Sequence, residues 1–296
     1  MPKPVNKNLH KVTIEDIENH KLITDEELDS DIQNILYYPA DSNRNSFYGN
    51  PFLYHYQLKN LLKCKRDKGP TIYDLFEDDE ERAKLLSQTL KKDRGGRTAA
   101  GNVYECFRIN KGSIVMFKAT TAKYLYKKYN AQSVLDPTAG WGGRMLGAWA
   151  LGIDYIGMDT NTEMCSAYSN MINKLKGVKD TNLEMIFDDC LSQNFGKFNY
   201  DFVLTSPPYI NMEVYEHMPR WETEEDYYVN FLIPLWEQCM DNMDINGHVC
   251  FNISPKIYEE AIMYGLSPSH DEEHLKQQLG QQKTTKKQDK IYIWAK

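Results

Sequence analysis

From about residue 113 the chain alternates between short apolar segments and helical stretches, and few folds accommodate that alternation. SVLDP (133–137), DYIGMDT (154–160), LEMIF (183–187), DFVLT (201–205), HVCFNIS (248–254) and KIYIWAK (290–296) have the length of strands. GRMLGAWALG, residues 161–175 and residues 222–243 have helical character, and Pro234 predicts a kink or split in the last. DFVLT is continuously apolar, as a strand buried on both faces should be. Strands alternating with helices predict an α/β fold with a doubly wound, mostly parallel sheet. A sixth strand before KIYIWAK is hard to find, and IMYGLSP is a poor candidate. Ligands of such sheets bind beyond the C-terminal strand ends, so the residues after each strand are the candidates for function.

After the first strand comes Asp136-Pro137-Thr138-Ala139-Gly140-Trp141-Gly142-Gly143-Arg144. Its glycines let the backbone pass close to a ligand and enter a helix, or simply make a tight turn. The spacing is not GxGxxG, which disfavours a nicotinamide cofactor. Asp159 follows the second strand, placed either to accept ribose hydroxyls or to cap the next helix. Asp188 and Asp189 follow the third, able to receive an adenine amine or to cap a turn. After the fourth comes Thr205-Ser206-Pro207-Pro208-Tyr209. The two prolines fix an extended course and withhold two N–H donors. The Ser206 hydroxyl and Pro207 carbonyl are then expected to accept hydrogen bonds from an incoming NH2 group. Tyr209 offers a flat face on which a base can stack.

In this order and spacing, DPTAGWGGR, GMDTN, DDC and TSPPY resemble the class I S-adenosylmethionine-dependent methyltransferases. More narrowly they are similar to the DNA amino-methyltransferases, which modify N4 of cytosine or N6 of adenine. The resemblance covers roughly residues 113–254, and TSPPY, which matches the family's [DNS]PP[YFW] tetrad, is its most specific element. It implies a Rossmann-like fold in which Asp136, Pro137, Thr138, Ala139, Gly140 and Gly142 cradle the methionine part of S-adenosyl-L-methionine. Asp159 would bind the ribose, Asp188 and Asp189 would lie at the adenine, and Phe117, Thr120 and Thr121 would close over the cofactor. Ser206, Pro207, Pro208 and Tyr209 would hold a flipped base for direct in-line transfer, leaving S-adenosyl-L-homocysteine. Serine at the first tetrad position favours N4 of cytosine over N6 of adenine. An RNA or protein-glutamine amino-methyltransferase, and a non-catalytic nucleic-acid-binding subunit, are the competing readings.

None of the six cysteines follows a proline, so the cysteine-nucleophile route to C5 methylation is excluded. No CxxC pair is present, and no metal is expected.

The formal charge of −7 argues against a protein that simply coats nucleic acid. Sorted by position, however, Lys84–Lys128 carries a net +9 and Lys276–Lys296 a net +5. Lys91, Lys92, Arg94, Arg97, Lys283, Lys286 and Lys287 are therefore candidate contacts to DNA phosphates. The spacing from Gly143 to Ser206 leaves no room for a recognition domain. DNA reading is thus assigned to a mainly helical extension, residues 1–112, ahead of a catalytic domain, residues 113–296, and to the 210–222 loop and Lys-rich tail of that domain. Periodicity in the extension is poor. Residues 13–34 read as an acidic surface helix or arm, FLYHYQLKNLL as strand or helix, and ERAKLLSQTLKK as a helix. Trp221 and Tyr215, after the tetrad, are candidates to fill the gap left by a flipped base, and Trp221 equally a core residue. No apolar run approaches a membrane span and the N-terminus lacks a signal-peptide core, so an intracellular protein without a membrane partner is expected. Oligomeric state is not legible.

Overall fold

The computed structural model describes residues 8–41, 46–65, 69–92, 97–111, 114–210, 220–274 and 289–296. Seven strands form one sheet: β1 (Ser133–Asp136), β2 (Asp154–Met158), β3 (Leu183–Ile186), β4 (Phe202–Thr205), β5 (His248–Ile253), β6 (Asp271–His274) and β7 (Lys290–Ala295). Their order is β3-β2-β1-β4-β5-β7-β6. The first five strands pair in parallel, and β7 runs antiparallel to both of its neighbours. The expected doubly wound, mostly parallel α/β sheet is present, and its order reverses between β1 and β4, where such sheets form their ligand crevice.

Twelve α-helices surround the strands among the described residues. Six precede residue 112: α1 (Ile14–Asn19), α2 (Asp25–Tyr37), α3 (Asn50–Leu62), α4 (Ile72–Glu77), α5 (Asp79–Lys92) and α6 (Ala99–Lys111). The others are α7 (Ala119–Lys128), α8 (Gly143–Leu151), α9 (Cys165–Lys176), α10 (Glu224–Tyr227), α11 (Ile233–Asn242) and α12 (Pro255–Met263).

The pleat sorts side chains into two cores, because successive strand residues face opposite sides. Val134, Tyr155, Leu204, Cys250, Ile291 and Ile293 join a cluster with α7–α9 and the N-terminal helices. Leu135, Val203, Val249, Phe251, Tyr292 and Trp294 join a second cluster with α11 and α12. The first cluster runs continuously across residue 112, from Ile17, Ile32, Phe52 and Val103 to Leu146 and Met171.

Lys123 of α7 fastens that junction. Its ammonium donates to the carbonyls of Ile35, Leu36 and Tyr38 at 2.8–2.9 Å, satisfying the open C-terminal end of α2. Burial lowers its pKa to about 8.

Two sequence difficulties have physical resolutions. The sixth strand is DEEH, too polar to stand out, and it is acceptable because it lies at the sheet edge, where charge discourages further pairing. Around Pro234 the 222–243 stretch divides, as expected, into α10, a π-helical turn and α11. A π-helical turn, Tyr228–Leu232, widens the backbone just before α11 and admits the proline in its first turn.

Candidate active site

β1 lies between β2 and β4, so Asp136, Met158 and Thr205 end side by side at the C-terminal edge. The Asp136 carboxylate is wholly buried and takes three hydrogen bonds. Oδ2 accepts from Arg144 Nε at 2.6 Å and the Tyr155 hydroxyl at 2.7 Å, while Oδ1 accepts from the Thr205 hydroxyl at 2.9 Å. Arg144 also donates to the Thr138 carbonyl at 2.5 Å and, through Nη1, to Ser206 Oγ at 3.0 Å. Thr205, its proton given to Asp136, accepts the Thr138 N–H at 3.1 Å and the Thr138 hydroxyl at 2.6 Å. One buried ion pair thus ties the glycine loop to the tetrad. Asp136 sets the loop's shape, and its own carboxylate is consumed inside.

Pro137 and Ala139 are buried, and the Ala139 N–H donates to the Met158 carbonyl at 2.7 Å, drawing the loop toward β2. Gly140 has φ +60°, which favours glycine, and a Cβ there would meet nothing nearer than Arg144 Nη2 at 4.0 Å. The loop therefore has an open side next to Asp159. Gly142 caps α8. At Gly143 a Cβ would lie 1.9 Å from the Phe117 carbonyl oxygen, so glycine there permits the segment ahead of α7 to cross the loop. The Phe117 ring lies 5.3 Å from the Arg144 guanidinium carbon. Thr120 and Thr121 are buried in the first turn of α7, and the Thr120 hydroxyl is 3.5 Å from the Ser46 carbonyl.

Asp159 receives the Gly140 N–H at 2.8 Å and the Asn161 N–H at 3.0 Å, one on each oxygen. Each oxygen retains a lone pair for a ligand hydroxyl. Burial raises its pKa to about 6, against the lowering effect of the two N–H groups. The capping role falls to Asn161, which accepts from the Glu163 N–H at 3.2 Å. Asp188 and Asp189 are exposed. Asp188 accepts from Gln193 Nε2 at 2.7 Å, and Asp189 caps the turn Cys190–Ser192 through the Leu191 N–H at 3.0 Å.

The tetrad departs from expectation at its first residue. Ser206 Oγ accepts from Arg144 and also from Asn252 Nδ2 at 3.0 Å. A hydroxyl oxygen has two acceptor positions, and both are filled. Both acceptor positions of Ser206 Oγ are thus taken by protein donors, which leaves its hydrogen as the group to be donated. Asn252 reaches it because β5 pairs with β4, putting Phe251 opposite Thr205. Asn252 Oδ1 is buried without a hydrogen-bond partner among the described residues. Pro207 is buried, while Pro208 and Tyr209 are partly exposed. Tyr209 and Trp221 pack against the second core, and the Trp221 ring centroid is 4.9 Å from those of both Tyr227 and Phe231. Trp221 is thus held in an aromatic cluster. Tyr215 lies outside the described residues.

Of the candidate DNA contacts, Lys91 and Arg97 are exposed, and Arg97 lies 3.8 Å from Glu105. Arg94, Lys283, Lys286 and Lys287 lie outside the described residues, as does the Lys92 side chain. Other members of the basic blocks are paired: Lys84 with Glu80 and Glu81, Lys128 with Glu273, and Lys290 with Glu272.

Arg144, Thr205 and Asn252 are the site residues that sequence reasoning passed over. Arg144 closes the glycine motif, and Asn252 is a polar interruption in an apolar strand; both were readable signals. Among the described residues no group of three or more His, Cys, Asp or Glu is placed to hold a metal ion, and no helix is long and apolar enough to cross a membrane.

No protein-family model matches the chain, and no curated protein matches its sequence. Among solved structures the chain is similar to TrmN from Thermus thermophilus, at 14% identity and a TM-score of 0.43, covering 60% of this chain and 48% of that one. The chain thus spans about half the length of TrmN. An rRNA methylase from Streptococcus thermophilus is 13% identical with a TM-score of 0.40, covering 62% of this chain and 99% of that one. An RNA methyltransferase from Salinibacter ruber, solved in complex with S-adenosyl-L-homocysteine, is 13% identical with a TM-score of 0.39, covering 61% and 93%.

Proposed function

We propose that the chain is an S-adenosylmethionine-dependent methyltransferase acting on an exocyclic base amine of DNA, N4 of cytosine in the first instance. The observation that carries the reading is the Arg144 side chain, which joins the glycine loop and the TSPPY tetrad into one unit at adjacent strand ends. The open side of Gly140 beside the Asp159 carboxylate fits a ribose-bearing cofactor. S-adenosylmethionine would supply an electrophilic methyl group on a sulfonium. Asp159 would accept the ribose hydroxyls, and the loop from Pro137 to Gly142 would line the methionine portion.

A base within a duplex must be extruded, at a cost of a few kcal/mol. Stacking on Tyr209 would offset about 1–3 kcal/mol of that. The amine is a weak nucleophile because its lone pair is delocalised into the ring. The Pro207 carbonyl is left as the tetrad's acceptor for an amine hydrogen. Ser206, held by Arg144 and Asn252, donates instead to the neighbouring ring nitrogen, an acceptor in both cytosine and adenine. This arrangement fixes the amine's direction, and positioning supplies most of the rate.

The test is transfer of labelled methyl from the cofactor to unmethylated DNA and, in parallel, to RNA, followed by nucleoside analysis. Label in N4-methylcytosine of DNA is expected. Label in N6-methyladenine would overturn the cytosine assignment, and label in RNA alone would overturn the DNA reading.

A further inference from the structure

A cavity of about 600 Å³ opens between α1, α3, α6 and the extended segment 114–118. Its lining gathers Lys21 just after α1, Arg97 and Arg108 at the two ends of α6, and Lys118 at the start of α7. Glu105 is the one acid among the described lining residues; it bonds Arg108 at 3.1 Å and lies 3.8 Å from Arg97. Among the described lining residues the four cations outnumber it around one cavity. Burial lowers the Lys21 pKa, and the charges of Arg108 and Arg97 lower it further. Such a cluster is self-repelling, and a bound anion relieves it.

The cavity also presents aromatic faces. The Lys21 ammonium lies 5.4 Å from the centre of the Tyr54 ring, and that of Lys118 lies 4.5 Å from the centre of the Phe47 ring, which is 61% exposed. Cations beside exposed rings suit a ligand that carries both a phosphate and a base. The wall adjoins the tetrad as well. Phe117, in the same segment as Lys118, sits beneath Arg144, whose guanidinium holds Ser206.

We propose that this cavity binds the nucleotide flanking the target base on the same strand, its phosphate among Lys21, Arg97 and Lys118 and its base against Tyr54 or Phe47. The assignment of a neighbour to the target rests on the methyltransferase reading; binding of a single strand in the cavity does not.

The experiment is fluorescence anisotropy of a labelled 12-nucleotide single-stranded DNA with the full-length chain, over a range of salt concentrations. Lys21→Glu combined with Arg97→Glu is expected to weaken binding at least about tenfold and to flatten the logarithmic salt slope by about two units. Cofactor affinity by calorimetry should stay within about twofold, which shows that the variant is folded. Lys21→Gln with Arg97→Gln should fall between. Wild-type affinity and slope in the charge-reversed variant would overturn the proposal, as would failure of the wild-type chain to bind. Equal competition by polyglutamate would also overturn it, because a site for any polyanion is not a nucleotide site. Loss of oligonucleotide binding in a chain that transfers no methyl group would uphold the cavity and reject the reaction.

Discussion

The strand-end loops and the basic blocks both announce themselves in the sequence, but the bonds that hold them differ in reach. Within the glycine loop, bonds to residues no more than 19 positions away set the shape: Gly140 to Asp159, Ala139 to Met158, Arg144 to Asp136 and Thr138. Some described members of the basic blocks are held by partners that no local pattern reveals. Lys128 meets Glu273 across 145 positions, and Lys123 turns inward to cap a helix end 85–88 positions earlier. A short motif keeps its meaning because backbone geometry enforces it. A charge run changes its meaning where the fold brings acids to it, and among the described residues a smaller cluster gathers around one cavity.

The sharpest way to break this comparison is Arg144→Met. It would strand the buried Asp136 carboxylate and should cost about 3–5 kcal/mol in urea unfolding. A loss below about 1 kcal/mol would mean that the loop and the tetrad are not joined through this pair. Lys123→Met should cost less, about 2–3 kcal/mol, because it removes charged hydrogen bonds to carbonyls without leaving a buried charge.

Asp159 gives an effect on binding. Its pKa of about 6 means that the carboxylate is ionised above that pH and protonated below it. Cofactor affinity should therefore be flat above about pH 7 and fall as pH drops through 6. Asp159→Ala should weaken binding by about 1.5–3 kcal/mol at pH 8 and abolish the pH dependence, as read by calorimetry. Smallest of all should be Lys84→Ala, whose exposed pairs with Glu80 and Glu81 are screened by solvent, so the thermal unfolding midpoint should scarcely move.

Six strands, the glycine loop and the tetrad were legible because apolar runs and turn residues mark them directly. DEEH was not, since an edge strand needs no apolar face. The six N-terminal helices lacked a clean period, yet three of them carry capping boxes: Thr13 with Asp16, Thr24 with Glu27 and Thr71 with Asp74. Those pairs could have located the helix starts. The polarity of Ser206 was beyond the sequence, because it depends on Asn252 and Arg144 arriving from 46 and 62 positions away.

The central claim is that one sheet edge holds two separable sites, one for cofactor and one for base. Tyr209→Ala tests it most directly, with turnover on DNA and cofactor affinity measured on the same preparation. Turnover should be abolished while cofactor affinity stays within a few-fold of wild type. Parallel loss of both would contradict the separation, and retained turnover would remove Tyr209 from the base site.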